Sequence, residues 1–271
     1  MALLRAIGAR DDLAAARPIA DRLRDGASEI IVFGIGGASS GAEALLGLRS
    51  SARPRISMID NLDPSSLAAA LTQADLPTTR FVAISKGGST IESVAQSLMA
   101  ADAIEAADLG HDLKDHFVVI TEPGPRPMRA FAHSIGCPVI DHPPDIGGRY
   151  SMLTIAGLFP LLLSGQDASA VREGAADVLA RTLSDRDGEE IPVAVGSALT
   201  LALRRAGRLR ETVLWSYADK LAPFNAWWRQ LWPRAWARAA AARRRSALWD
   251  PSISIASCDC SSMVRPPPCS P

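Results

Sequence analysis

Short runs of consecutive apolar residues recur through the first 140 positions, and each closes on glycine, hydroxyl or acidic residues. Glu29-Ile-Ile-Val-Phe33 ends in Gly34-Ile-Gly-Gly37, Arg55-Ile-Ser-Met-Ile59 in Asp60-Asn61, and Arg80-Phe-Val-Ala-Ile84 in Ser85-Lys-Gly-Gly-Ser89. His116-Phe-Val-Val-Ile120 ends in Thr121-Glu-Pro-Gly124, and Pro138-Val-Ile140 follows. Runs of four or five without polar alternation predict strands buried on both faces. Between them, residues 39–48, 64–74, 90–107 and 126–133 have helical composition and spacing. Strand and helix alternating in this way predict an α/β fold, a doubly wound parallel sheet with helices on both faces. Ligands of such sheets bind beyond the carboxyl ends of the strands.

From Ser151 the pattern turns helical, with predicted helices over 151–163, 168–182 and 192–206. A strand-like segment, Glu211-Thr-Val-Leu-Trp-Ser216, then precedes a helix over 221–232. This reads as the opening of a second, incomplete α/β unit. The expected division is therefore a first subdomain over 1–165, connecting helices and the start of a second over 166–232, and a disordered tail over 233–271.

Composition sharpens the boundary at 232. The 271 residues carry 29 basic and 29 acidic side chains, which excludes the electrostatic footprint of a dedicated nucleic-acid binder. Up to residue 232 there are 23 basic and 27 acidic residues and one cysteine, whereas 233–271 hold six Arg, no Lys, six Pro and Cys258, Cys260 and Cys269. A body nearly free of cysteine suits a reducing cytoplasm. The most apolar run, Met152 to Leu163, is interrupted by Pro160 and falls short of the roughly 20 residues of a membrane span. No secretory leader pattern opens the chain, so no membrane partner is expected, and the balanced charge leaves no nucleic-acid partner expected either.

Three loops could carry chemistry. Gly34-Ile-Gly-Gly-Ala-Ser-Ser-Gly41 follows a strand and opens a helix, so its amides either hold an anion or form only a tight turn. It differs from a dinucleotide fingerprint in placing Ser39 at the third glycine position. Ser85-Lys-Gly-Gly-Ser-Thr90 offers three hydroxyls, two glycines and an ammonium ahead of a helix, as a phosphate cradle or as an ordinary capped terminus. Two such loops on one sheet favour a sugar phosphate over a dinucleotide. Asp145-Ile-Gly-Gly-Arg-Tyr-Ser151 presents Arg149 either to a developing oxyanion or to a structural ion pair.

Phe33-Gly-Ile-Gly-Gly, Ile84-Ser-Lys-Gly-Gly-Ser-Thr-Ile-Glu and Gly147-Gly-Arg-Tyr-Ser-Met, in this order, resemble the glucose-6-phosphate isomerase family, whose fold is the sugar-isomerase (SIS) domain. The stretch Tyr217 to Trp232 is similar to the family's second subdomain, so the resemblance covers roughly 29 to 232. It implies interconversion of glucose 6-phosphate and fructose 6-phosphate through an enediolate, with no metal and no cofactor, by a chain that forms homodimers in intact relatives. It also implies that Ser85, Ser89 and Thr90, with the backbone of Lys86 and Gly87, bind the substrate phosphate together with Gly36 and Gly37. Arg149 matches the arginine that steadies the enediolate. Ala38 stands where many members have a phosphate-contacting serine.

The resemblance stops after Trp232. Related bacterial members continue with Ala-Glu-Ser-Leu-Gly-Lys, whose Glu is the proton-shuttling base, and a later Asp-Gln-His-Ser supplies the ring-opening His. Here Pro233-Arg-Ala-Trp comes next, and Arg234 stands where the base belongs. Codons permitted for 233–260, read one nucleotide out of frame, can restore both segments at family spacing, so the tail is expected to be a frameshifted product. The Cys258-x-Cys260 pair matches no common zinc spacing, and Arg243 to Arg245 read as a solvated charge run. His111, His116, His133 and His142 read as loop or surface positions, the alternative being that one of them replaces the missing acid/base. The rival readings are a non-catalytic sugar-phosphate-binding module and a dinucleotide-dependent enzyme.

Overall fold

The computed structural model describes residues 2–48, 54–184, 187–243 and 254–258. The chain divides into two compact units, residues 1–173 and 174–271.

The first unit is built on five parallel strands: β1 (Glu29–Gly34), β2 (Arg55–Ile59), β3 (Thr79–Ile84), β4 (Phe117–Thr121) and β5 (Val139–Asp141). Their spatial order is β2-β1-β3-β4-β5. Its helices are α1 (Ala2–Gly8), α2 (Asp11–Arg24), α3 (Gly37–Leu46), α4 (Pro64–Gln73), α5 (Ile91–Ala106), the short α6 (Leu113–His116), α7 (Pro127–Ile135) and α8 (Ile155–Leu163). The sheet is doubly wound, as the unalternating apolar runs predict. Ile30, Val32, Val82, Ile84, Val118 and Ile120 point to one face and join a core with residues of α2, α3 and α8. The intervening Ile31, Phe33, Phe81, Ala83, Phe117 and Val119 point to the other and join residues of α4, α5 and α7. One strand thus feeds two cores because successive side chains alternate in direction. Phe33, Phe81 and Phe117 stack across β1, β3 and β4 with centroids 5.7 and 5.0 Å apart. Offset aromatic stacking of this kind fixes register as well as burying area.

α8 is the most deeply set helix, with all nine residues buried. An all-round apolar sequence is stable as a helix only when enclosed, and Pro160 inside it removes one amide donor. Thr154 caps it, its hydroxyl accepting from the Ala156 amide at 3.3 Å. The first residues of the helix expected over 151–163 belong instead to a 3-10 helix, Gly148–Leu153, and α8 begins at Ile155. No described helix is long and apolar enough to cross a membrane.

The second unit contains most of α9 (Ala168–Thr182), α10 (Pro192–Arg205), β6 (Glu211–Trp215), α11 (Ala222–Arg243) and β7 (Ser254–Cys258), and β6 pairs β7 in parallel. Within the segment expected to be a disordered tail, residues 233–243 continue α11 through Pro233, and 254–258 form β7. The rest of that segment lies outside the described residues. Of the histidines expected at loop or surface positions, His142 lies in the loop after β5 but is fully buried, and His116 is corrected, since it ends α6 and is 4% exposed. Cys137 is buried, and desolvation pushes its thiol pKa up to about 12, so it behaves as a small apolar side chain.

Candidate active site

The sheet reverses its winding between β1 and β3, and the two glycine-rich loops leave from there. Gly34 and Ile84 are partners in the β1·β3 ladder, so the loop after each strand starts beside the other. Each loop opens a helix, α3 and α5. Strand register therefore starts the two loops beside each other at the carboxyl edge, from which α3 passes to one face of the sheet and α5 to the other, and at each helix N-terminus unpaired amides and the dipole favour an anion.

The first terminus is shaped by glycine. Gly36 caps α3 at φ +69°, a left-handed conformation that L side chains rarely adopt, and no side chain caps the helix. Ser39, in the first turn, donates its hydroxyl to the Gly36 carbonyl at 2.9 Å. Gly37 answers a close approach. A Cβ there would lie 2.6 to 2.8 Å from Cγ, Cα and N of Arg149. The Gly147-Gly148-Arg149 turn is thus seated directly on the first loop, which brings two of the sequence motifs into contact.

At the second terminus, Ser85 is buried and its hydroxyl donates to Thr90 Oγ1 at 3.0 Å. Thr90 is the N-cap of α5, yet its side chain does not cap the helix amides, so these remain open to a ligand. Ser89 is exposed, and Lys86 and Gly87 lie between. Lys86 Nζ pairs with Glu122 at 3.1 Å, and the loop is strapped to its neighbour by Glu122 N–H to Lys86 O at 3.0 Å and Met128 N–H to Gly88 O at 2.9 Å.

The structure thus gathers Gly36, Gly37, Ser85, Lys86, Gly87, Ser89, Thr90 and Arg149 at one sheet edge. Sequence reasoning did not single out Gly88 or Glu122, and it named His142 only as one of four histidines, with nothing to place it near this loop. Gly88 has φ +64°, and a Cβ there would lie 2.6 Å from Thr121 Oγ1. The paired glycines in the motif carry a signal of that strain. Glu122 and His142 carry none, because only register across three strands brings them to the loop. Among the described residues no group of three His, Cys, Asp or Glu could hold a metal. A further acid, Glu43 on α3, has its pKa raised by burial and by the charge of Asp60.

Comparison with known proteins gives three consistent results. The family model described as phosphoglucose isomerase matches residues 23–234. The glucose-6-phosphate isomerase of Rubrobacter xylanophilus is 31% identical over 235 residues, covering 82% of this chain and 54% of that protein. That of Thermus thermophilus is 32% identical over 203 residues, covering 75% and 48%. The chain therefore spans about half the length of the curated relatives it matches. A crystal structure of a glucose-6-phosphate isomerase from Chlamydia trachomatis superposes with a TM-score of 0.70 at 25% identity, covering 81% of this chain and 42% of that one.

Proposed function

The chain belongs to the phosphoglucose isomerase family, and from that premise we propose that it binds glucose 6-phosphate and fructose 6-phosphate but has lost most isomerase turnover. The observation that carries the binding half is the register of β1 and β3, which starts the two glycine-rich loops beside each other at one sheet edge, with Arg149 against Gly37 of the first. The substrate phosphate sits on the 85–90 loop, taking hydroxyl contacts from Ser85, Ser89 and Thr90 and amides from Lys86 and Gly87. Gly36 and Gly37 let the sugar approach the first loop, and the Arg149 guanidinium faces the carbon atoms that carry the enediolate. A guanidinium stays charged through the pH range of the reaction and stabilises the oxyanion without moving a proton.

The turnover half rests on the residues after Trp232. The family match ends at residue 234, and no carboxylate lies between Trp232 and Asp250 to take the role of the base. Removing a general base costs a factor of about 10² to 10⁴ in rate. The out-of-frame origin of residues 233–271 accounts for both facts. In this reading the protein acts in the cytoplasm on sugar phosphates, without metal or cofactor.

Two measurements on the purified chain test the proposal. Calorimetry with fructose 6-phosphate should show saturable binding, and a coupled assay should show turnover at least about a hundredfold below that of an intact relative. Turnover equal to a relative's overturns the second half, and absence of binding overturns the first. Response to a nicotinamide dinucleotide alone would favour the dinucleotide reading.

A further inference from the structure

The hydrogen-bond ladder runs on past the strands. Ile84, Ile120 and Ile140 are partners in one row, and two residues further on Lys86, Glu122 and His142 occupy the matching positions beyond β3, β4 and β5. Backbone bonds hold this continuation: Glu122 N–H donates to Lys86 O at 3.0 Å and His142 N–H to Thr121 O at 2.9 Å. The side chains make a chain of charge. Glu122 takes Lys86 on one carboxylate oxygen at 3.1 Å and Arg126, the N-cap of α7, on the other at 3.4 Å. Arg129 of α7 pairs with Asp141, next to His142.

His142 itself is 0% exposed. Its Nδ1 lies 2.9 Å from the Pro143 carbonyl, which can only accept, so Nδ1 carries the ring proton and Nε2 presents a lone pair. That Nε2 is buried and has no partner among the described residues. A buried acceptor of this kind is costly to leave unused, and its use calls for a physical account.

We propose that His142 is a positioning residue for the anion loop, acting through Glu122 on the Lys86 ammonium, so that capture of a dianion at residues 85–90 is coupled to uptake of one proton at His142 Nε2. The proposal rests on the reading of that loop as the phosphate site. With the loop empty, Glu122 holds Lys86 and the imidazole stays neutral. A bound dianion draws the ammonium toward itself. Glu122 then keeps Arg126 but has lost one of its two cations, its negative charge acts less opposed on the ring, and a proton from solvent adds to Nε2.

The electrostatics of the ring agree with this direction. Burial, first, pushes its pKa below the usual imidazole value of 6.5; the Pro143 carbonyl opposes that, Lys86 pushes it further down and Glu122 pushes it up. Moving Lys86 away therefore raises the pKa by removing one influence and unmasking the other. Linkage is reciprocal, so dianion affinity rises as pH falls through the His142 range, below 6.5.

Sulfate is the probe, because it stays a dianion at every pH used and its own titration does not enter. Binding to the full chain is followed by the amide resonances of residues 85–90 between about pH 7.5 and 5 at fixed ionic strength. The native chain should gain roughly fivefold in affinity on acidification beyond any gain in His142→Asn, which keeps bulk and polarity without titrating. The other three histidines are common to both chains, so their contribution cancels in the comparison. The native chain alone gives a second readout that needs no variant: saturating sulfate should raise the midpoint of the His142 ring resonance, and Glu122→Gln should abolish that rise. Sulfate bound with the same pH dependence in both chains, or an unmoved ring midpoint, overturns the coupling and leaves the loop reading standing. No sulfate binding at any pH overturns the loop reading and the coupling with it.

Discussion

Gly37 and Gly87 look alike in the sequence, each in a glycine pair closing a strand, but their surroundings differ. A methyl group on Gly37 would fall within 2.8 Å of the backbone nitrogen of Arg149, which cannot move without shifting the 3-10 turn behind it. The same methyl on Gly87 would meet only Ser89 Oγ, at 3.8 Å. Overpacking against backbone costs about 1 to 3 kcal/mol, whereas a tolerated surface change stays within about 0.5 kcal/mol. Gly37→Ala should therefore lower unfolding stability by about 2 kcal/mol and weaken fructose 6-phosphate binding by about tenfold, and Gly87→Ala should leave stability unchanged. Urea unfolding and calorimetry on the two variants check this, and equal stability would contradict the seating of Arg149 on Gly37. The pair also marks how far the site was legible from sequence. Motif spacing named Gly36, Gly37, Ser85, Lys86, Gly87, Ser89, Thr90 and Arg149, because each lies in a loop whose composition advertises backbone exposure. It gave no sign of Glu122 and His142, which reach the loop only through the β3-β4-β5 register.

Among the elements, the strands were the most legible, since runs such as Ile-Ile-Val-Phe are apolar at every position and bounded by glycine. α1 and α2 carry no sequence assignment: α2 is rich in alanine and charge, and its buried face is only Leu13, Ala16, Ala20 and Leu23. What anchors α2 is a contact no local pattern reveals. Asp12 in its first turn receives Arg172 of α9 bidentately, at 2.5 and 2.6 Å, and Arg172 also donates to Ala9 O at 2.8 Å and Leu153 O at 3.0 Å. Arg172 is 0% exposed, so a lost partner leaves a buried charge uncompensated, which costs about 3 to 5 kcal/mol. Burial tends to raise the Asp12 pKa, but the hydrogen bond and charge of Arg172 outweigh it and hold it below 3.8. A carboxyl with a depressed folded pKa contributes stability that is full above its unfolded pKa and is lost as pH falls through the folded one. Asp12→Asn should accordingly destabilise the chain by about 3 kcal/mol at neutral pH, and the gap to the unmodified chain should narrow as pH falls below 3.8. Urea titrations at several pH values decide it. A gap independent of pH would mean that the pair is not ionic.

At the scale of the molecule the two units are unequal in how much they bury. The first has every residue of β1 and β4 enclosed and two continuous cores, whereas α10 in the second buries none of its residues. Val193, Val195 and Leu199 on α10 are 53%, 44% and 59% exposed, and the last two line an open groove of about 620 Å³. Isolated exposed apolar residues are ordinary, but several together on one helix are a surface that ordinarily lies against something. The curated relatives are about twice as long as the matched region, so they carry chain for which this one has no counterpart in the match. Local opening free energy follows buried contact, so the units should separate in hydrogen exchange. Amides of β1, β3 and β4 should exchange slowest, near the global unfolding limit, and those of α10 at least about a hundredfold faster. Limited proteolysis of the native chain should cut first between 174 and 210 and leave a resistant fragment near 1–173. Slow exchange across α10 in dilute solution would contradict this. The same protection appearing only at high protein concentration would instead show the apolar face of α10 covered by another molecule of this chain.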